Sequence, residues 1–138
     1  MAVRVLIADD DAAIRRLLRR LIEEHRDWEV CGEAINGLDA ASKVGPLSPD
    51  LVVLDLAMPQ MNGLQAAREI KKVTPSMPML LLTVQDVSQE LVQEARSAGF
   101  MGAVSKSTGS EVVKGIETLL RREFFFTSSP DPVAASFV

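Results

Sequence analysis

Cysteine is almost missing from this chain. Cys31 stands alone, which excludes an internal disulfide and any cysteine-based zinc site. Its place in the strand-like stretch 28–34 makes it read as a small core residue. Histidine is as scarce: His25, near the end of a helical stretch, reads as a solvated residue and not as a ligand. Aromatics are few, at 4%, and tyrosine is absent. No apolar run approaches the length that spans a bilayer, and the first residues lack a signal-peptide layout. Membrane insertion is therefore not expected, and the cytoplasm is the expected compartment. A surplus of positive charge is also missing: the formal net charge is −4, which argues against direct nucleic-acid binding by this chain. The basic pairs 15–16, 19–20, 71–72 and 121–122 lie at helical spacing and read as solvated helix faces.

What is present is ordinary for one globular domain: 138 residues, 47% apolar and 25% charged. Strand-like apolar runs near residues 3–8, 28–35, 51–55, 79–83 and 101–105 alternate with amphipathic helical patterns. That alternation predicts a doubly wound α/β fold with a parallel sheet. Runs 51–54 and 79–82 are apolar on both faces, as central strands should be, and the weaker second and fifth strands fit the edges. In the first helix Ile14, Leu17, Leu18, Leu21 and Ile22 form one apolar stripe; in the fifth, Val112, Val113, Ile116, Leu119 and Leu120 do. Asn62 with Gln65 looks like the start of the third helix, Thr108 with Glu111 like a capping box for the fifth, and Asp11 like the cap of the first. Pro46, Pro49, Pro59, Pro75 and Pro78 are expected between elements.

Chemistry gathers at the strand ends. Asp9 and Asp10 close the first run and Asp55 closes the third. If these strands are parallel neighbours, the three carboxylates meet at the carboxyl edge, where open α/β folds bind ligands. Thr83 and Lys106 follow two further strands. Two carboxylates about 5 Å apart at an effective dielectric of about 20 repel by roughly 3 kcal/mol. Such a group needs a metal, a lysine or a shared proton to offset it, which points to a site for a divalent cation and a phosphoryl group.

These residues carry a family resemblance. Leu6-Ile7-Ala8-Asp9-Asp10, Gly32-Glu33-Ala34 with Asn36-Gly37, and the stretch from Pro49 to Asp55 make its first half. Met58-Pro59 with Met61-Asn62-Gly63, then Leu82-Thr83, Ala98-Gly99 and Lys106, make the second. In this order and spacing they resemble the receiver domains of two-component response regulators, closest to the NarL/FixJ (LuxR-type) group. The resemblance implies a flavodoxin-like (CheY-like) fold, a five-stranded sheet of order 2-1-3-4-5 with five helices. It implies a phosphoacceptor and not an enzyme in the usual sense: Asp55 takes a phosphoryl group from a histidine kinase. Asp9, Asp10, Asp55 and the carbonyl of Ala57 would hold Mg2+, with Lys106 and Thr83 on phosphoryl oxygens.

Three positions depart from the family pattern. Many receivers carry an aromatic residue, which swings inward on activation, three places before the lysine; here it is Ala103. Val84 follows Thr83 where a smaller residue is usual, and Ser107 follows Lys106 where proline is common. Two rival readings fail on residues. A haloacid-dehalogenase phosphatase needs an acid at position 57, and a phosphate-binding P-loop needs glycines at positions 100 and 105, where Phe100 and Ser105 stand.

The expected organisation is a receiver over residues 1–123 and a linker-like tail over 124–138, of the kind that leads into a helix-turn-helix output domain. The apolar end after Pro130 and Pro132 suggests a segment that packs on something, or a chain cut from a longer protein. A sensor histidine kinase is the implied partner, with self-association through the first and fifth helices. The alternative is a stand-alone receiver, or a binding module on the same fold that works without phosphorylation.

Overall fold

The computed structural model describes residues 2–107 and 109–126. The elements run β1 (Val3–Ala8), α1 (Ala12–Glu23), β2 (Trp28–Ala34), α2 (Gly37–Leu47), β3 (Leu51–Asp55) and α3 (Gly63–Val73). They continue with β4 (Met79–Thr83), α4 (Gln89–Ala98), β5 (Gly102–Ser105), α5 (Gly109–Leu120) and β6 (Phe125–Phe126). All strand pairs are parallel, in the order β2-β1-β3-β4-β5-β6. The predicted doubly wound sheet is present, extended by one short strand. Residues 125–126, expected in a tail, thus supply a sheet edge, and β5 is an inner strand rather than the expected edge. Thr108, expected to cap the fifth helix, and residues 127–138 of the tail lie outside the described residues.

β3 and β4 are buried along their whole length because helices cover both faces. One apolar layer joins the sheet to α1 and α5, through Leu18, Ile22, Val112, Ile116 and Leu119. The other joins it to α2, α3 and α4, through Ala40, Val44, Ala67, Ile70, Ala95 and Ala98. Local chemistry sets the helix starts. Asp11 accepts from Ala13 N at 2.8 Å, and Asn62 and Gln65, at the expected start of α3, form a capping box.

Several expectations need correction. Pro46 sits inside the last turn of α2, not between elements. It costs one helical hydrogen bond, but the preceding residue, Gly45, has no Cβ to meet the ring. Leu17 is 44% exposed, since the stripe of α1 is narrower than its apolar pattern, and only Leu18 and Ile22 are fully covered. His25 is half-buried rather than solvated: its ring stacks on Trp28 with centroids 3.7 Å apart. Cys31 is partly buried against the core, and burial pushes its thiol pKa up.

Candidate functional site

Parallel pairing of β1 with β3 sets Ala8 beside Leu54, so the residues that follow, Asp9 and Asp55, emerge at the same edge. β1 has β2 on one side and β3 on the other, so the winding reverses here and leaves a crevice beyond the strand ends. An open cleft of about 300 Å³ lies there, lined by Asp9, Asp10, Asp55, Ala57, Thr83 and Lys106 among others. Every residue the sequence reading assigned to the site lines it.

The acids differ in environment. Asp9 is fully buried, Asp55 is buried and Asp10 is exposed. Each offers one carboxylate oxygen, and these three atoms lie within 4.8 Å of one another. Lys106 reaches between two of them, with Nζ 2.6 Å from Asp9 Oδ2 and 3.0 Å from Asp55 Oδ1. Burial raises the Asp55 pKa; Lys106 opposes that shift while Asp9 and Asp10 add to it. For Lys106 burial acts to lower the pKa, but the ion pairs with Asp9 and Asp55 outweigh it, and the net direction is up.

Asp9 Oδ1 accepts from Asp11 N at 2.9 Å. Asp9 Oδ2 is buried and meets the ammonium at ion-pair distance, but has no partner with hydrogen-bond geometry. A buried carboxylate oxygen short of a donor, facing two more acids, is a donor set suited to a hard cation. Octahedral Mg2+ with bonds of about 2.1 Å spaces its ligand atoms about 3–4.2 Å apart, within reach of this trio. The residues fit the ion.

Thr83 is buried, and its Oγ1 accepts from Gln85 N at 3.1 Å, which ties the hydroxyl to the loop after β4. The same strand end is tied to the lysine, since Lys106 N donates to Thr83 O at 2.8 Å. Val84 is 75% exposed on the lip of the cleft. Below the site α3 packs against the end of β3 so closely that a Cβ on Gly63 would run into the Asp55 carbonyl. Gly37 plays the matching part for α2, with its N–H on Met61 O at 3.0 Å and no room for a Cβ. Together they clamp the loop that carries Ala57.

Sequence reasoning missed Arg15. Its spacing reads as a solvated helix face, yet its Nη1 donates to Asp9 O at 2.7 Å and its Nε to Glu33 Oε1 at 2.9 Å. Arg19 binds the other oxygen of Glu33 at 2.8 Å. Hydrogen bonding by Arg19 leads the lowering of the Glu33 pKa; Arg15 adds to it and partial burial opposes it. No local signal marks Arg15, because its partners lie across the β1–α1 and β2 ends.

The response regulator receiver domain model matches residues 5–117. The chain belongs to that family. A receiver is a phosphoacceptor signalling module of two-component phosphorelays, and the buried acid cleft is its expected feature. This receiver is 41% identical over 99 residues to the chemotaxis protein CheY of Thermotoga maritima, covering 72% of this chain and 81% of that protein. It is 37% identical over 106 residues to protein-glutamate methylesterase/protein-glutamine glutaminase 5 of Myxococcus xanthus. That match covers 77% of this chain but only 30% of the relative, so the chain spans about a third of the length of such curated relatives. Among solved structures, a LuxR-family two-component response regulator from Aurantimonas superposes with a TM-score of 0.87 at 30% identity. The match covers 99% of this chain and 94% of that one. No helix among the described residues is long and apolar enough to cross a membrane.

Proposed function

We propose that the receiver accepts a phosphoryl group on Asp55 from a histidine kinase and serves as the regulatory part of a transcriptional regulator of the NarL/FixJ group. The observation that carries the phosphoacceptor reading is the position of Asp55: buried, 3.0 Å from the Lys106 ammonium and grouped with Asp9 and Asp10. An Asp55 carboxylate oxygen forms a bond to phosphorus as the bond from phosphorus to the kinase imidazole nitrogen breaks. The leaving imidazole keeps the electron pair. Lys106 Nζ moves from pairing carboxylates to pairing a phosphoryl oxygen, and the Thr83 hydroxyl donates to another. Asp9 and Asp10, with Asp55 and the Ala57 carbonyl, would hold Mg2+, which supplies positive charge against that developing on the transferred group.

Support for the NarL/FixJ assignment comes from the LuxR-family structure, whose likeness spans 99% of this chain. The stand-alone alternative is favoured by the CheY relative, of which 81% is covered. Self-association through α1 and α5 is supported by the exposed Leu17 on α1. Incubation with acetyl phosphate and magnesium, followed by mass spectrometry, tests the core of the reading. One phosphoryl group should appear on Asp55 and be lost in Asp55→Ala. Equal labelling of a folded Asp55→Ala variant would overturn it.

A further inference from the structure

Arg15 lies in the first turn of α1, and its side chain is only 16% exposed. Its guanidinium spans two elements, with Nη1 on the Asp9 carbonyl and Nε on Glu33 Oε1. Glu33 stands on β2 opposite Ile7 of β1, so the fork reaches from a strand side chain to the backbone just past the neighbouring strand. Asp9 N donates to Ala34 O at 3.1 Å. Both backbone polar groups of Asp9 are therefore anchored, the N–H by β2 and the carbonyl by Arg15. That carbonyl belongs to the planar peptide leading into Asp10, so the bond sets the direction in which the chain leaves β1. Asp10 is exposed, yet one of its carboxylate oxygens lies within 4.8 Å of those of Asp9 and Asp55.

A guanidinium beside a cation site has a cost, because like charges repel. Here the charge is matched. Glu33 takes Arg15 on Oε1 and Arg19 on Oε2, while Arg19 Nη1 lies 3.5 Å from Glu23 Oε2. That Glu23 oxygen also accepts from Val30 N at 3.1 Å, which ties the far end of the network to β2. Two arginines and two glutamates cancel in formal charge. What the network delivers to Asp9 is a hydrogen bond in a set place, without net positive charge.

We propose that Arg15 is a positioning residue for the divalent cation: held by Glu33, it fixes the Asp9–Asp10 peptide so that Asp10 meets the metal together with Asp9 and Asp55. This rests on the cation site of the phosphoacceptor reading above. No atom of Arg15 takes a ligand position; it acts through the backbone that carries two ligands. Glu33 also keeps the guanidinium from pairing with the carboxylates that the metal needs. The sign of the effect separates position from charge. Removing a positive charge near the acids should by itself tighten cation binding, whereas losing the set peptide should weaken it.

The test uses the whole chain with manganese as the probe, read from the free-ion signal in electron paramagnetic resonance, with magnesium as competitor. Urea unfolding without metal reports whether each variant is folded. Arg15→Met should raise the manganese dissociation constant about tenfold, the usual scale for a partner that orients a ligand from behind. Arg15→Lys keeps the charge but not the fork, and should weaken binding in the same direction. Arg16→Met removes the same charge from an exposed neighbour and should not weaken it. Unchanged or tighter binding in folded Arg15→Met overturns the positioning role and leaves the phosphoacceptor reading intact; if that variant does not fold, Arg15→Lys decides by the same criterion. Equal weakening by Arg16→Met overturns it too. No manganese or magnesium binding to the parent chain overturns the cation site and the proposal together.

Discussion

Lys106 holds its ammonium 3.0 Å from Asp55 Oδ1, so the chain's own cation occupies the place between the acids that a phosphoryl group would claim. The same ammonium is 2.6 Å from Asp9, so one lysine offsets two buried carboxylates while Asp10 looks to solvent. This arrangement sets one ammonium against two buried acids, and the proposed modification of Asp55 would free that charge for the phosphoryl group.

Asp55→Asn should stabilise the fold at neutral pH. A carboxylate neighbour about 5 Å away costs roughly 3 kcal/mol, and losing the pairing with Lys106 takes part of the gain back. The expected net is about 1–2 kcal/mol of added stability, read by urea unfolding, with phosphoryl labelling abolished. Lys106→Met should do the reverse and lower stability by about 3 kcal/mol, because two buried acids then lack their cation. An Asp55→Asn variant less stable than the parent would show that repulsion among the acids is not what the site must offset.

Magnesium should raise the melting temperature. If its dissociation constant is about 1 mM, 10 mM metal adds roughly 1.4 kcal/mol by mass action. That corresponds to a rise of about 3–6 °C for a domain of this size, and Asp10→Asn should shrink it. Melting curves that ignore magnesium, manganese and calcium alike would remove the cation site.

Acid sensitivity should trace in part to Glu33, whose carboxylate is held by Arg15 and Arg19. Its folded pKa lies below the ordinary 4.5, with Arg19 the leading cause. A depressed carboxyl contributes stability that is present above 4.5 and lost as pH falls through the folded value. Glu33→Gln should flatten that part of the stability profile and cost about 0.5–1 kcal/mol at pH 7, the figure being small because the bridge is partly exposed. The comparison is by unfolding titrations from pH 3 to 7. Parallel profiles for the two proteins would remove Glu33 as the source.

Gly63→Ala should damage the site without touching its chemistry. The added Cβ meets the backbone carbonyl of Asp55, which cannot rotate away as a side chain can. A loss of about 1–3 kcal/mol is expected, with slower labelling by acetyl phosphate as the β3–α3 loop shifts. Normal stability and labelling in Gly63→Ala would mean that this close approach does not position Asp55.

The strand and helix order, the caps at Asp11 and Asn62 and the gathering of Asp9, Asp55, Thr83 and Lys106 at one edge were legible in the residues. Each depends on signals spanning a few positions: an apolar run, a period near 3.6, a capping side chain three places from its target. Once the strands are parallel, their carboxyl ends share an edge, and the site residues follow from their place after each run. Tertiary structure alone decided the rest. Lys106 bridging Asp9 and Asp55, Arg15 on the Asp9 carbonyl and His25 stacked on Trp28 depend on how separate elements meet. β6 carries no periodic signal in two residues; it exists because β5 leaves an unpaired edge, Gly102 lets a backbone approach, and Arg96 on a different element holds the rings. Short-range propensity is written locally, whereas a contact between distant residues takes its energy from the packed whole.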